Sequence, residues 1–125
     1  MARFVLVVDD DQAIRESLCE LLADEGHRAV GVSNGREALD LLRSNGRPCA
    51  ILLDLMMPVM NGTDFREHQL RDPELSAIPV AVITAGGQDA AASMNVDAIL
   101  AKPFSIDSVL QFIHRFCGHR ISTVP

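Results

Sequence analysis

The sequence lacks a basic patch, and this absence limits the partners that the protein can bind. Over 125 residues the formal net charge is −6, and no run of Lys and Arg stands out. Proteins that hold nucleic acids do so largely by neutralising phosphates with Lys and Arg. We therefore expect no direct binding of nucleic acid.

The sequence also lacks long apolar runs and has little cysteine. No run approaches the roughly 20 apolar residues of a membrane-spanning helix, and the amino terminus has no long apolar segment typical of a signal peptide. Cys19, Cys49 and Cys117 are odd in number, widely spaced and set among apolar residues. We expect all three to be reduced packing residues in a cytoplasmic protein that does not contact membranes.

No internal repeat or low-complexity linker divides the chain. A hydrophobic content of 48% is enough for one complete core, and 125 residues are too few for two domains. We predict one domain over residues 1–118, followed by a C-terminal tail over residues 119–125.

Short apolar runs alternate with amphipathic segments along the chain. The predicted strands are 4–8, 28–32, 50–54, 79–84 and 98–101. Asp11, Asn34 and Ser105 are predicted to cap helices at their amino ends, and Gly26 and Gly118 to end helices. Two further helices are predicted, one from about 63 to before 73 and a short one of about two turns within 85–96.

This alternation predicts an α/β fold with a doubly wound, five-stranded parallel sheet and helices on both faces. In the flavodoxin-like strand order 2-1-3-4-5, the carboxyl ends of the strands share one edge, where a ligand binds. The residues predicted to meet there are Asp9, Asp10, Asp54, Thr84 and Lys102. Carboxylates about 5 Å apart repel by roughly 3 kcal/mol at an effective dielectric near 20, so the cluster needs a cation, and Mg²⁺ suits oxygen ligands.

Each of these residues has an ordinary structural interpretation when it is considered alone. The Asp54 side chain could hydrogen-bond the backbone of its own turn. Thr84 could be an ordinary residue at a strand end, and Lys102 could be a solvated surface residue. Their convergence at one edge favours a functional site. Asp11 is better explained as a helix cap, and the 4 histidines, which have no ligand spacing, as structural or exposed residues.

Four motifs at the predicted strand ends resemble those of receiver domains in two-component response regulators. They are Val-Val-Asp-Asp-Asp at 7–11, Leu-Asp-Leu-Met-Met-Pro-Val-Met-Asn-Gly at 53–62, Ile-Thr-Ala at 83–85 and Lys-Pro-Phe at 102–104. The resemblance covers essentially the whole chain. It implies a CheY-like fold and a role in phosphorelay signal transduction.

The resemblance also implies a role for each site residue. Asp54 would be the phosphoacceptor, with Thr84 and Lys102 contacting the phosphoryl group. Asp9, Asp10 and Asp54 would bind Mg²⁺ together with the backbone carbonyl of Met56. A cis peptide bond between Lys102 and Pro103 would turn the lysine into the site.

The function implied is that of a stand-alone receiver, which accepts a phosphoryl group on Asp54 from a sensor histidine kinase or a histidine phosphotransfer protein. Its chemistry would be limited to its own phosphorylation and dephosphorylation, so it would not be an enzyme acting on other substrates. A downstream effector protein would bind the face formed by the predicted fourth helix, the fifth strand and the last helix.

The sequence departs from the family pattern at three places. Ile99 stands where many members of the family have an aromatic switch residue. The interval from Thr84 to Lys102 is about one helical turn shorter than is usual in the family. Met56 and Gly86 offer no polar side chain to orient a water molecule for self-dephosphorylation. These departures keep open a receiver-like binding module that signals without phosphorylation. A small Mg²⁺-dependent phosphohydrolase using Asp54 is a weaker alternative, because no cap domain or substrate pocket element is evident.

Overall fold

Five parallel strands form one sheet in the order β2-β1-β3-β4-β5 in the computed structural model, which describes residues 4–85 and 94–118. The strands are β1 Phe4–Val8, β2 Arg28–Val32, β3 Ala50–Asp54, β4 Val80–Thr84 and β5 Ala98–Ala101. The described helices are α1 Gln12–Asp24, α2 Gly35–Asn45, α3 Gly62–Arg71 and a C-terminal helix, Ile106–Cys117. The predicted fold class and strand order are confirmed. Most of the predicted fourth helix and the predicted tail lie outside the described residues.

The central strands are buried on both faces, which explains their continuous apolar sequences. Alternate side chains of β1 point to opposite faces: Leu6 packs with Leu39 of α2 and Phe65 of α3, whereas Val7 packs with Leu18 of α1. The C-terminal helix shares the second face with α1. Two apolar layers therefore hold the helices against the sheet, and the polar strand ends remain at its edges.

The predicted caps set the amino ends of the helices. The Asp11 carboxylate accepts hydrogen bonds from the backbone of Ala13 and Ile14, so its assignment as a cap is confirmed. Asn34 caps α2 and Ser105 caps the C-terminal helix. These side chains satisfy backbone donors that have no partner inside the helix.

One buried polar network was not expected from the sequence. Arg66 of α3 is only 5% exposed, and its guanidinium donates to the carbonyls of Met94 and Asn95 and, at 2.7 Å, to Gln69 Oε1. The Gln69 amide donates in turn to the carbonyls of Leu75 and Ile78. The network joins α3 to the chain that enters β5.

The prediction that all three cysteines are reduced is wrong for two of them. Cys49, just before β3, and Cys117, in the last turn of the C-terminal helix, form a disulfide across 68 positions of sequence. Their Cα atoms lie 5.4 Å apart because the C-terminal helix packs on the sheet face near the start of β3, and this separation suits a disulfide. Among the described cysteines, Cys19 alone is free.

Candidate functional site

The parallel register brings four strand ends to one edge of the sheet. Along this edge Val8 pairs with Leu53, and Asp54 pairs with Ile83. Thr84 pairs with Ala101. The residues that immediately follow or end these strands are therefore neighbours, as the sequence predicted.

Three carboxylates and one ammonium group converge at this edge. Each of Asp9, Asp10 and Asp54 offers an oxygen within 4.8 Å of the others. The Lys102 Nζ atom lies 3.8 Å from Asp9 Oδ2 and 3.7 Å from Asp54 Oδ1. Because Asp9 is 1% and Asp54 5% exposed, their negative charges are held away from water. The single positive charge of Lys102 does not balance the negative charges of the three carboxylates.

The pKa values of the two buried acids reflect this imbalance. Burial, and after it the nearby Asp9 carboxylate, raises the pKa of Asp54 to about 6, against the opposing effects of Lys102 and a hydrogen bond from the backbone of Met56. Burial likewise raises the pKa of Asp9, and the backbone N–H of Asp11 and Lys102 lower it in part. The site thus favours protonation or a bound cation.

Asp9 has an oxygen that is suited to a metal ion. Its Oδ1 atom accepts a hydrogen bond of 2.9 Å from the backbone N–H of Asp11. Its Oδ2 atom is buried, and no group within residues 4–85 and 94–118 donates a hydrogen bond to it. A buried carboxylate oxygen without a donor is unfavourable. A hard divalent cation that prefers oxygen ligands would satisfy it.

The loop from β3 to α3 shapes the other side of the site. Met56 is 80% exposed, and its backbone N–H donates to the Asp54 carboxylate. Gly62 packs so tightly that a Cβ there would lie 2.5 Å from the backbone oxygen of Asp54. Between them Val59 has a φ of 67°, which is strained for a β-branched residue. The loop therefore holds the Asp54 backbone closely.

Thr84 and Lys102 are joined through the backbone. The Lys102 N–H donates to the Thr84 carbonyl at 2.8 Å, and Thr84 is 3% exposed. The peptide bond between Lys102 and Pro103 is cis, as predicted. The structure thus brings Lys102 to the carboxylates and places Thr84 at the same edge, beside the strand that ends in Asp54.

Two other residues that support the site were not predicted from the sequence. The Arg15 guanidinium donates to the Asp9 carbonyl at 2.8 Å. Asn61 caps α3 by accepting a hydrogen bond from the backbone of Asp64. Asn61 lies in the 53–62 motif just before a predicted helix, and this position is a signal for a cap. Nothing in the sequence neighbourhood of Arg15 distinguishes it from a solvated residue.

The family model of the response regulator receiver domain matches residues 5–114. The chain belongs to the response-regulator receiver family. This receiver has the fold that the family resemblance implied and brings together the acidic and basic residues of the motifs. Receiver domains are in general signalling modules of two-component systems rather than enzymes.

Two curated relatives are similar to this receiver over different shares of their own length. The response regulator MprA of Mycolicibacterium vanbaalenii is 41% identical over 114 residues, which are 85% of this chain and 46% of MprA. This chain therefore spans about half the length of MprA. The polar-differentiation response regulator DivK of Brucella anthropi is 30% identical over 122 residues, 94% of this chain and 98% of DivK.

A solved structure with the same fold is the receiver domain of a sensor histidine kinase from Pseudomonas aeruginosa, with a magnesium ion coordinated in its active site cleft. The two structures align with a TM-score of 0.85 and 23% sequence identity. The alignment covers 94% of this chain and 99% of the Pseudomonas aeruginosa chain. At this identity the comparison shows the fold alone. No helix within the described part of this receiver is long and apolar enough to cross a membrane.

Proposed function

We propose that this receiver accepts a phosphoryl group on Asp54 in a Mg²⁺-dependent reaction and signals by a change in protein binding. The observation that carries the proposal is the convergence of Lys102 with the three carboxylates, two of them buried. The donor would be a phosphohistidine on a sensor histidine kinase or a histidine phosphotransfer protein.

In the proposed reaction a carboxylate oxygen of Asp54 attacks the phosphorus atom of the phosphohistidine. The new O–P bond forms as the N–P bond breaks, and the leaving imidazole takes up a proton from solvent. Lys102, which lies 3.7 Å from Asp54 Oδ1, would then balance charge on the transferred oxygens. The Thr84 hydroxyl would hydrogen-bond one of them.

The donor set fits Mg²⁺. Asp9, Asp10 and Asp54 supply hard oxygens at one point, and Asp9 Oδ2 lacks a hydrogen-bond donor. The Met56 carbonyl would be a further ligand, as the family resemblance implies. When bound, the ion would neutralise negative charge on the phosphoryl oxygens. The Pseudomonas aeruginosa receiver domain, which has the same fold, holds a magnesium ion in its active site cleft.

The proposal is tested by incubating the protein with Mg²⁺ and acetyl phosphate, a small phosphodonor, and measuring its intact mass. We expect one added phosphoryl group on the wild-type protein and none on the Asp54→Asn variant. The Asp40→Asn variant is the matched control, because Asp40 is an exposed residue of α2 away from the site, and it should be labelled like the wild type. Label that persists in Asp54→Asn would reject the assignment.

Mg²⁺ should stabilise the folded protein by mass action. At a concentration ten times its dissociation constant, the free energy of unfolding should rise by about 1.4 kcal/mol, or about 5 °C in melting temperature. Thermal melts over a Mg²⁺ series measure this increase. Asp10→Ala should abolish the dependence, whereas Asp40→Ala should retain it. An unchanged response in Asp10→Ala would place the ion elsewhere.

The effector is proposed to bind the face formed by β5, the C-terminal helix and the predicted fourth helix, most of which lies outside the described residues. Ile99 of β5 is 38% exposed on this part of the sheet. Its stiff aliphatic side chain could fill only part of the space of an aromatic switch residue, so we propose a modest conformational response to phosphorylation. The cytoplasmic location remains a prediction.

A receiver-like module that works without phosphate is the second candidate, and Ile99 is the feature that favours it. It predicts no phosphoryl label in the same mass measurement. A phosphohydrolase would instead turn over the donor catalytically and release inorganic phosphate without accumulating a stable acyl phosphate.

A further inference from the structure

The disulfide between Cys49 and Cys117 joins two elements of the proposed signalling domain. Cys49 is 5% exposed and immediately precedes β3, the strand that ends in Asp54. Cys117 is half-buried in the last turn of the C-terminal helix. The bond therefore ties one side of the proposed effector face to the central strand of the sheet.

The last turn of this helix is less buried than the earlier turns, although Phe116 and Cys117 still pack against the apolar cluster on this face of the sheet. Val109, Phe112 and Ile113 bury the earlier turns, whereas each residue from 114 to 118 is half-buried or exposed. Helix ends with few buried contacts are the first parts to open. The covalent bond is thus the strongest link between this turn and the sheet.

We propose that Cys49 and Cys117 are a reversible thiol-oxidation site, whose oxidised form locks the last helical turn to β3 and whose reduced form releases it. The inference rests on the proposed cytoplasmic signalling function. Disulfides in reducing compartments are usually transient and redox-sensing. Cys117 is half-buried near the helix end, whereas Cys49 is buried, so a reductant reaches Cys117 more readily.

The proposed reductant is a dithiol protein or dithiol compound. Its thiolate attacks the Cys117 sulfur, the S–S bond breaks, and Cys49 leaves as a thiolate that takes up a proton. The second thiol of the reductant resolves the mixed disulfide and releases Cys117 as a thiol. The protein gains two electrons and two protons, and the reductant becomes a disulfide. Hydrogen peroxide reverses the change by oxidising the two thiols to the disulfide and forming two water molecules.

Cys19 provides an internal reference. It is free and half-buried on α1, and burial raises the pKa of its thiol. A raised pKa lowers the fraction of reactive thiolate. Alkylation of Cys19 should therefore be slow and independent of the redox state of the Cys49–Cys117 pair.

The experiment uses the full chain without Mg²⁺ or phosphodonor, equilibrated in glutathione buffers of graded potential and in dithiothreitol. Alkylation and peptide mass spectrometry measure each thiol, and hydrogen exchange measures the helix end. We expect the thiols of Cys49 and Cys117 to appear together while the protein stays folded. Exchange of amides 114–118 should become at least tenfold faster on reduction.

The oxidised form should also melt on the order of 10 °C higher, because the bond closes a long loop. A disulfide that resists reduction until the protein unfolds would be a permanent staple and would overturn the proposal. Equal exchange of residues 114–118 in both redox forms would also overturn it.

Variants provide a check that does not require a reductant. Cys117→Ser should reproduce the exchange pattern of the reduced wild type, and Cys19→Ser should match the oxidised wild type. If Cys117→Ser does not fold, the reduced wild-type protein alone decides the question. These measurements involve no phosphodonor. The redox proposal can therefore fail while labelling of Asp54 succeeds, and labelling of Asp54 can fail while the redox proposal holds.

Discussion

Replacing Asp54 by Asn is expected to raise the free energy of unfolding of the magnesium-free protein at pH 7 by about 1–3 kcal/mol. The reason is that the folded protein holds an ionised Asp54 at 5% exposure beside the buried Asp9 carboxylate. An amide has nearly the same shape and no charge. Chemical denaturation of the two proteins in a chelating buffer measures the difference.

The same measurement should depend on pH in a defined window. The pKa of Asp54 is about 6 in the folded protein and about 3.9 in an unfolded chain. The folded state therefore binds the Asp54 proton more tightly than the unfolded state does. The stability that this proton contributes is fully present below about pH 4 and is lost as the pH rises to about 6. The advantage of Asp54→Asn over the wild type should grow across this window and then level off.

Asp40→Asn is the matched control, and it should change the free energy of unfolding by less than about 0.5 kcal/mol. Saturating Mg²⁺ should narrow or reverse the advantage of Asp54→Asn, because the ion stabilises the ionised wild-type site. A variant no more stable than the wild type at pH 7 in chelator would contradict the described electrostatics.

Replacing Arg66 by Met should destabilise the protein by about 2–4 kcal/mol. Met fills similar space but donates no hydrogen bond, so the carbonyls of Met94 and Asn95 and the oxygen of Gln69 would lose their donor. Burial lowers the pKa of Arg66, and Asp97 opposes this effect. Urea denaturation measures the loss, and hydrogen exchange should show it first in residues 94–101.

The control for this change is Arg71→Met, at the exposed carboxyl end of α3. It removes the same charge from the same helix and should cost less than about 0.5 kcal/mol. If Arg66→Met and Arg71→Met have equal effects, the buried network contributes nothing measurable to stability.

Much of the fold could be predicted because local signals agree with the topology. The strands at 4–8 and 50–54 are continuous apolar runs that end at acids, and Asp11 and Ser105 are strong helix caps. Parallel strands share one edge for their carboxyl ends. The meeting of Asp9, Asp54 and Lys102 therefore followed once the strand order was inferred.

The remainder depends on packing between distant segments. The approach of Cys117 to Cys49 depends on how the C-terminal helix lies across the sheet, and cysteine spacing carries no such information. Arg66 is a polar residue in a short helix, where exposure is the ordinary expectation. Its burial requires acceptors from residues 94 and 95, which no local pattern connects to α3.

The most direct test of the central claim is to locate the acyl phosphate chemically. The protein is treated with acetyl phosphate and Mg²⁺, reduced with borohydride, which converts an aspartyl phosphate to homoserine, and digested for peptide mass spectrometry. The account predicts homoserine at position 54 alone, dependent on Mg²⁺ and absent without the donor. Homoserine at position 9 or 10, or none at any position after stable labelling, would contradict it.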